Sequence, residues 1–269
     1  MHTIQIRHRV MPIFAAAAAI MLAACSDATG SGAHQVSLSF TTKSTSSLRT
    51  STGFNRDVVV GPAGELVLKK IQLVIDRVEL RPSTSAGCVD DEQDGENNNS
   101  SAEDDCEDIA HDPILVNVPV DDAVHTIISV PVAAGTYTKL EARLDPASAA
   151  EVAALGAPSD MTGKSVRVEG TYKGTPFVFT SPLRTGLEFE FSPPLVVDAS
   201  TKNATVNIDV TKWFIASNGS VIDPATANAG GLNSLVVANN IRNSFEAFED
   251  DDKQGDNDHE GESGSSGDH

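Results

Sequence analysis

Leu66-Val67-Leu68-Lys69-Lys70-Ile71-Gln72-Leu73-Val74-Ile75-Asp76-Arg77-Val78-Glu79-Leu80 is the stretch on which the fold turns. It is rich in β-branched residues, lacks Gly and Pro, and sets Ile71, Leu73 and Ile75 on one face of an extended chain. Such alternation has the two-residue period of a strand and not the 3.6-residue period of a helix. The pattern recurs on both sides. Val36 to Phe40 alternates cleanly, and further strands are predicted at Ile114 to Val118, Thr126 to Val132, Tyr137 to Leu144, Ser165 to Tyr172, Phe177 to Thr180, Leu187 to Phe191 and Thr205 to Val210. Pro131, Gly135, Gly163, Gly174, Pro182, Pro193 and Pro194 punctuate the gaps. No repeat of fixed period occurs. Many short strands without alternating helices predict an all-β fold, an antiparallel β-sandwich.

Two helices are expected beside it. Ser148-Ala149-Ala150-Glu151 is a capping box that opens a short helix through Ala154, stopped by Gly156. A longer amphipathic helix is predicted over Asn233 to Phe248, with Leu235, Val236, Ile241, Phe245 and Phe248 as the stripe packed on the sandwich. The acidic run from Glu249 is unfavourable at a helix C-terminus and should end it there.

The chain has 269 residues, 40% of them hydrophobic, enough for one substantial core. Its net charge of −19 comes from 38 acidic against 19 basic side chains, which argues against a nucleic-acid partner. Aromatic residues are only 5%, with one Trp, so recognition by stacking is poorly supplied.

Residues 1–24 contain Arg7 and Arg9, no acid, and an apolar run from Ile13 to Ala24, too short for a comfortable transmembrane helix. The run ends in Leu22-Ala23-Ala24-Cys25, which resembles the lipobox of bacterial lipoproteins. The resemblance implies that the Cys25 thiol takes a diacylglycerol, that residues 1–24 are removed as a signal peptide, and that the new amino group is acylated. Two or more acyl chains hold firmly to a membrane where one is marginal. The expected location is therefore the bacterial cell envelope, lipid-anchored. Ser26 rather than Asp follows the cysteine, which in this resemblance favours the outer membrane. Residues 25–33 read as a flexible tether of small residues, and the folded body is expected over 34–248.

Cys88 and Cys106 are the two remaining cysteines, and an oxidising compartment would pair them. The bridge would close a loop of 17 residues and stabilise by roughly 3 kcal/mol on the chain-entropy model.

Once the two leader arginines are gone the mature chain carries −21. Residues 88–108 hold ten acids and no base, and residues 246–269 hold ten acids and only Lys253 as a base. The charge is therefore local, and the body is close to neutral. Both segments are poor in apolar residues, so the insert 88–108 and a tail over 249–269 are expected to lack a packed core and to be disordered.

Asp90, Glu92, Asp94 and Glu96 around Gly95, and Asp250, Asp252, Asp256 and Asp258 around Gly255, place oxygens at alternate positions as a calcium loop does. Ser101 and Gly261 stand where an EF-hand needs its bidentate Glu, so only a looser Ca²⁺ site is offered, against the plainer reading of solvated acid runs.

Ile71 to Leu80, a polar insert, and then Gly135-Thr136-Tyr137-Thr138-Lys139-Leu140 entering a strand resemble a family of bacterial secreted lipoproteins carrying a β-sandwich domain of unknown function. The resemblance spans about Val36 to Val210 and implies a fold and an envelope location, with no catalytic residue to carry over.

Enzyme signatures are missing: there is no GxSxG, SxxK, P-loop, HExxH or CxxC. Phe177 with Phe179 and Phe189 with Phe191 share faces and read as core. Trp213 reads as a core anchor, and Tyr137 as a corner residue whose hydroxyl bonds a turn. The sequence thus points to a non-enzymatic binding or structural module, with an envelope protein or polysaccharide as the partner class. A saccharide-binding accessory protein or an uncharacterised hydrolase is the alternative.

Overall fold

The computed structural model describes residues 34–42, 57–61, 64–83, 107–121, 123–198 and 200–257. Two sheets face each other as a β-sandwich. The first is built from β1 (His34–Thr41), β6 (His125–Val132), β11 (Lys202–Ile208) and β12 (Phe245–Glu249), in the order β12-β11-β1-β6. The second contains β2 (Val58–Val60), β3 (Leu66–Pro82), β4 (Glu107–Ala110), β5 (Ile114–Val118), β7 (Gly135–Leu144), β8 (Val166–Tyr172), β9 (Thr175–Ser181) and β10 (Thr185–Val197). Leu38, Phe40 and Val206 of the first sheet meet Ile75, Val78, Leu140 and Leu187 of the second across the core.

Among the described residues every strand pairing is antiparallel except one. β1 and β11 run parallel, Val36 opposite Lys202 through Thr41 opposite Asn207. A parallel pair needs a long crossover; here the chain between the two strands builds all eight strands of the second sheet before it returns. The antiparallel expectation is corrected at this pair, because strand direction depends on where the chain re-enters and not on strand sequence.

β3 organises the second sheet. Leu66, Ile71, Ile75 and Val78 each have partners on both edges, so β2, β5 and β4 follow one another along one edge while β8 and then β7 take the other. The register shifts once between Leu68 and Lys70 and again between Asp76 and Val78, where Arg77 adopts a φ of 51°. Each bulge reverses which alternate residues point inward. The buried series accordingly runs Leu66, Leu68, then Ile71, Leu73, Ile75, then Val78, Leu80. Val74 points to the opposite face, where it packs with Ala147, Val152 and Met161 in a satellite cluster.

α1 (Ala149–Ala154) opens as expected: Ser148 N donates to Glu151 Oε2 at 2.6 Å and Glu151 N donates to Ser148 Oγ at 3.3 Å. α2 (Ser234–Arg242) is shorter than the sequence predicts, and Phe245 to Glu249 is strand β12. Phe245-Glu246-Ala247-Phe248-Glu249 alternates, and it pairs with the edge of β11, Ile208 opposite Phe245. Tertiary pairing here overrides the helical pattern. The stripe is also rotated: Val237 and Ile241 are fully buried, whereas Leu235 is 78% and Val236 is 40% exposed.

Trp213 is buried, and its Nε1 donates to Ser244 Oγ at 2.7 Å, which ties the segment after β11 to the turn that ends α2. Tyr137 Oη donates to the Ala133 carbonyl at 2.9 Å, the corner bond that its position suggests. Phe179, Phe189 and Phe191 lie in the core, and Phe177 packs edge-on against Phe214. Among the described residues no helix is long and apolar enough to cross a membrane.

Candidate functional site

Cys25, Cys88, Cys106, Asp90, Glu92, Asp94, Glu96 and Asp258 lie outside the described residues. Asp250, Asp252 and Asp256 lie within them, and among the described residues no three acidic, His or Cys side chains converge on a metal position. Asp250 is fully buried. Its carboxylate accepts from Thr205 Oγ1 at 2.7 Å, Gln254 N at 2.9 Å and Gly255 N at 3.1 Å, so its oxygens are occupied by the protein's own donors. Burial pushes the Asp250 carboxyl above the usual carboxylate range, against the pull of those hydrogen bonds. Asp252 is exposed and accepts from Gln254 N and Gln254 Nε2.

The expectation of a disordered tail from 249 is therefore corrected for residues 249–257. Glu249 closes β12, Asp250 turns the chain, and Lys253 Nζ reaches Thr126 Oγ1 of β6 at 2.8 Å. The segment crosses the outer face of the first sheet as a strap. Beneath it Ser37, Ser39, Thr41, Asn203 and Thr205 are polar yet buried. Three of them are linked: Ser39 Oγ donates to Asn203 Oδ1 at 2.6 Å, and Asn203 Nδ2 donates to Thr205 Oγ1 at 2.9 Å and to the Asp250 carbonyl at 2.8 Å. Lys202 Nζ joins Glu249 at 2.7 Å and Asp251 at 2.8 Å. Burial alone would lower the Lys202 pKa, but its hydrogen bonds to Asp251 and Glu249 win and drive it well above the usual lysine range.

The outer face of the second sheet is ionic. Glu79 and Glu141 stand opposite one another on β3 and β7. Arg81 Nη2 bridges them, 2.7 Å from Glu141 and 3.6 Å from Glu79. Arg143 pairs with Asp76 at 2.8 Å, and Arg184 with Asp145 at 2.7 Å. Arg167 Nε binds both oxygens of Asp160 at 2.8 and 2.9 Å, and its Nη1 holds Glu169. Arg81–Glu141 and Arg143–Asp76 are cross-strand pairs between β3 and β7, and the others neutralise charge within a strand or at its ends.

Where β3, β8 and β9 run side by side, an open groove of about 370 Å³ is lined by Lys69, Glu169, Gly170, Thr171, Pro176, Phe177 and Val178. Gly170 has no room for a side chain, because a Cβ there would lie 2.0 Å from the Val67 carbonyl oxygen. The groove offers a cation, a carboxylate, a hydroxyl and an apolar wall, a set suited to holding a small polar ligand. A histidine–acid pair occurs elsewhere: His125 Nε2 lies 3.1 Å from Asp121 Oδ1, exposed, and no hydroxyl or thiol of a described residue bonds to that ring.

Neither Lys69 nor Glu169 was legible as a site residue, since a groove at a bulge is made by register. Leu232 was missed too, although an apolar residue straight after Gly230-Gly231 in a loop is a signal.

No family model, curated protein or solved structure matches the chain. The fold defines the class: an all-β protein of sandwich architecture.

Proposed function

We propose that the protein is a lipid-anchored module of the bacterial envelope that binds or supports a partner without catalysis, and that Cys25 is its lipidated first residue. The reading is carried by Leu22-Ala23-Ala24-Cys25 standing nine residues before the first strand, which starts at His34. That spacing leaves a short tether between the acyl chains and the sandwich. Cys25→Ser should release the protein from membranes and leave the leader uncleaved by the lipoprotein peptidase. A variant that fractionates with membranes like the wild type would sink the reading.

Pairing of Cys88 with Cys106 belongs to the same proposal. Leu80 lies opposite Glu107 in the β3–β4 ladder, so the insert between the two strands starts and ends at one place, and Cys106 directly precedes Glu107. Mass spectrometry of protein taken from the envelope should find the two joined; free thiols at both positions would overturn the pairing. Ca²⁺ remains a proposal for Asp90, Glu92, Asp94 and Glu96, tested by saturable heat in calorimetry that shrinks when these become Asn or Gln.

A further inference from the structure

Leu232 is 96% exposed, and Leu235 and Val236 stand beside it in sequence on the first turn of α2, 78% and 40% exposed. Their exposure is built in. Asn233 N donates to the Thr226 carbonyl at 3.0 Å, Asn233 Nδ2 donates to Thr226 Oγ1 at 2.8 Å, and Ser234 Oγ donates to the Gly231 carbonyl at 2.8 Å. Asn228 Oδ1 accepts from Thr180 N of β9 at 3.0 Å, which fixes the loop to the sandwich. Gly231 is required there, since a Cβ would lie 2.2 Å from the Thr226 carbonyl oxygen. The loop is thus held tightly in a shape that presents leucine to the outside.

Two further observations say what covers it. Residues 224–245 contain no acid at all and one base, Arg242, in a chain whose net charge is −19. The segment that carries the three side chains thus brings no negative charge of its own to an anionic sheet of lipid headgroups. Three exposed side chains also fall well short of the roughly 800 Å² per partner of a stable protein interface. A bilayer asks for no such area, because apolar residues gain by entering the headgroup–acyl boundary wherever they project.

We infer that the Leu232–Leu235–Val236 tip is a membrane contact that inserts into the lipid surface to which the chain is tethered. The inference rests on the anchoring at Cys25 proposed above, which keeps a bilayer within reach. The domain then lies on the membrane instead of swinging above it.

The test uses the full mature lipoprotein carrying Leu232→Trp, on vesicles of phosphatidylethanolamine and phosphatidylglycerol with brominated acyl chains. Trp213 is fully buried, so the wild type is the control for unquenched emission. The protein should float with the vesicles, the added emission should be largely lost to the bromines, and a further Leu235→Glu should restore it. If the protein floats but the added Trp stays bright with solvent-exposed emission, the contact is wrong and the anchor stands. If that emission is already that of a buried Trp without vesicles and depends on protein concentration, a second copy covers the tip and the inference falls. Flotation that Leu235→Glu alone abolishes supports the contact and overturns the anchor. Neither flotation nor quenching overturns both.

Discussion

Thr205 and Asp250 are both fully buried, on different strands' worth of chain, and the threonine hydroxyl donates to the aspartate carboxylate at 2.7 Å. That bond ties the acidic segment after β12 to the outer face of the first sheet. Asp250→Ala should cost about 1–3 kcal/mol, because the Thr205 hydroxyl and the Gln254 and Gly255 amides lose their acceptor. Urea unfolding at pH 7 reads this; a loss no larger than that of Asp252→Ala would show the strap to be idle. Ending the chain after Phe248 should likewise lower stability, since it removes Glu249, Asp250 and Asp251 together.

The same carboxyl predicts a pH dependence. Its folded pKa is raised by burial, so the folded state holds this proton more tightly than the unfolded chain. Its contribution to stability should therefore fall as pH rises from the ordinary value of 3.8 through the raised one. Asp250→Asn retains an acceptor without a charge, and the difference in unfolding free energy between it and the wild type should show that slope. A flat difference across this window would refute it.

Lys202 has the same sign in a far more alkaline window. Its raised pKa means that the pair with Glu249 and Asp251 is fully in force below the ordinary lysine value of 10.5 and is lost only as pH climbs through the raised one. Lys202→Met should cost about 3 kcal/mol, since it leaves Glu249 buried without its cation. Moderate salt should change the wild type little, because the lysine and glutamate side chains are only 16% and 9% exposed. Thermal melts with and without salt decide the matter.

Gly170→Ala should be among the most damaging single changes, at least about 3 kcal/mol, because its Cβ meets backbone and not a side-chain end that could swing away. Circular dichroism melts of the purified variant test this. A melting temperature near that of the wild type would mean that the β3–β8 bulge relaxes freely.

Tyr137→Phe keeps the ring and removes the bond to the Ala133 carbonyl. A loss of about 1 kcal/mol is expected, with the spectrum of the folded protein unchanged.

The strands were largely legible because burying one face of a sheet writes a two-residue period into the chain. Ile114–Val118 is found where it was expected, and Gly135–Leu144 and Val166–Tyr172 lie within two residues of their predicted bounds. The three strands not foreseen have clear reasons. Val58–Val60 is too short to show a period, Glu107–Ala110 begins inside an acid run, and Phe245–Glu249 carries apolar residues that suit a helix as well.

By itself the sequence determined the all-β class, the capping box of α1, the corner bond of Tyr137 and the burial of Trp213, because each depends on a local pattern or on one large side chain that must leave water. Only the tertiary structure decided the parallel pairing of β1 with β11, the two bulges of β3, the strand at Phe245 and the burial of Asp250. These depend on which edge or face another part of the chain leaves open. An aspartate in an acidic run is solvated by default; it is buried here because Thr205, 45 residues earlier, lies under it with a hydroxyl to give.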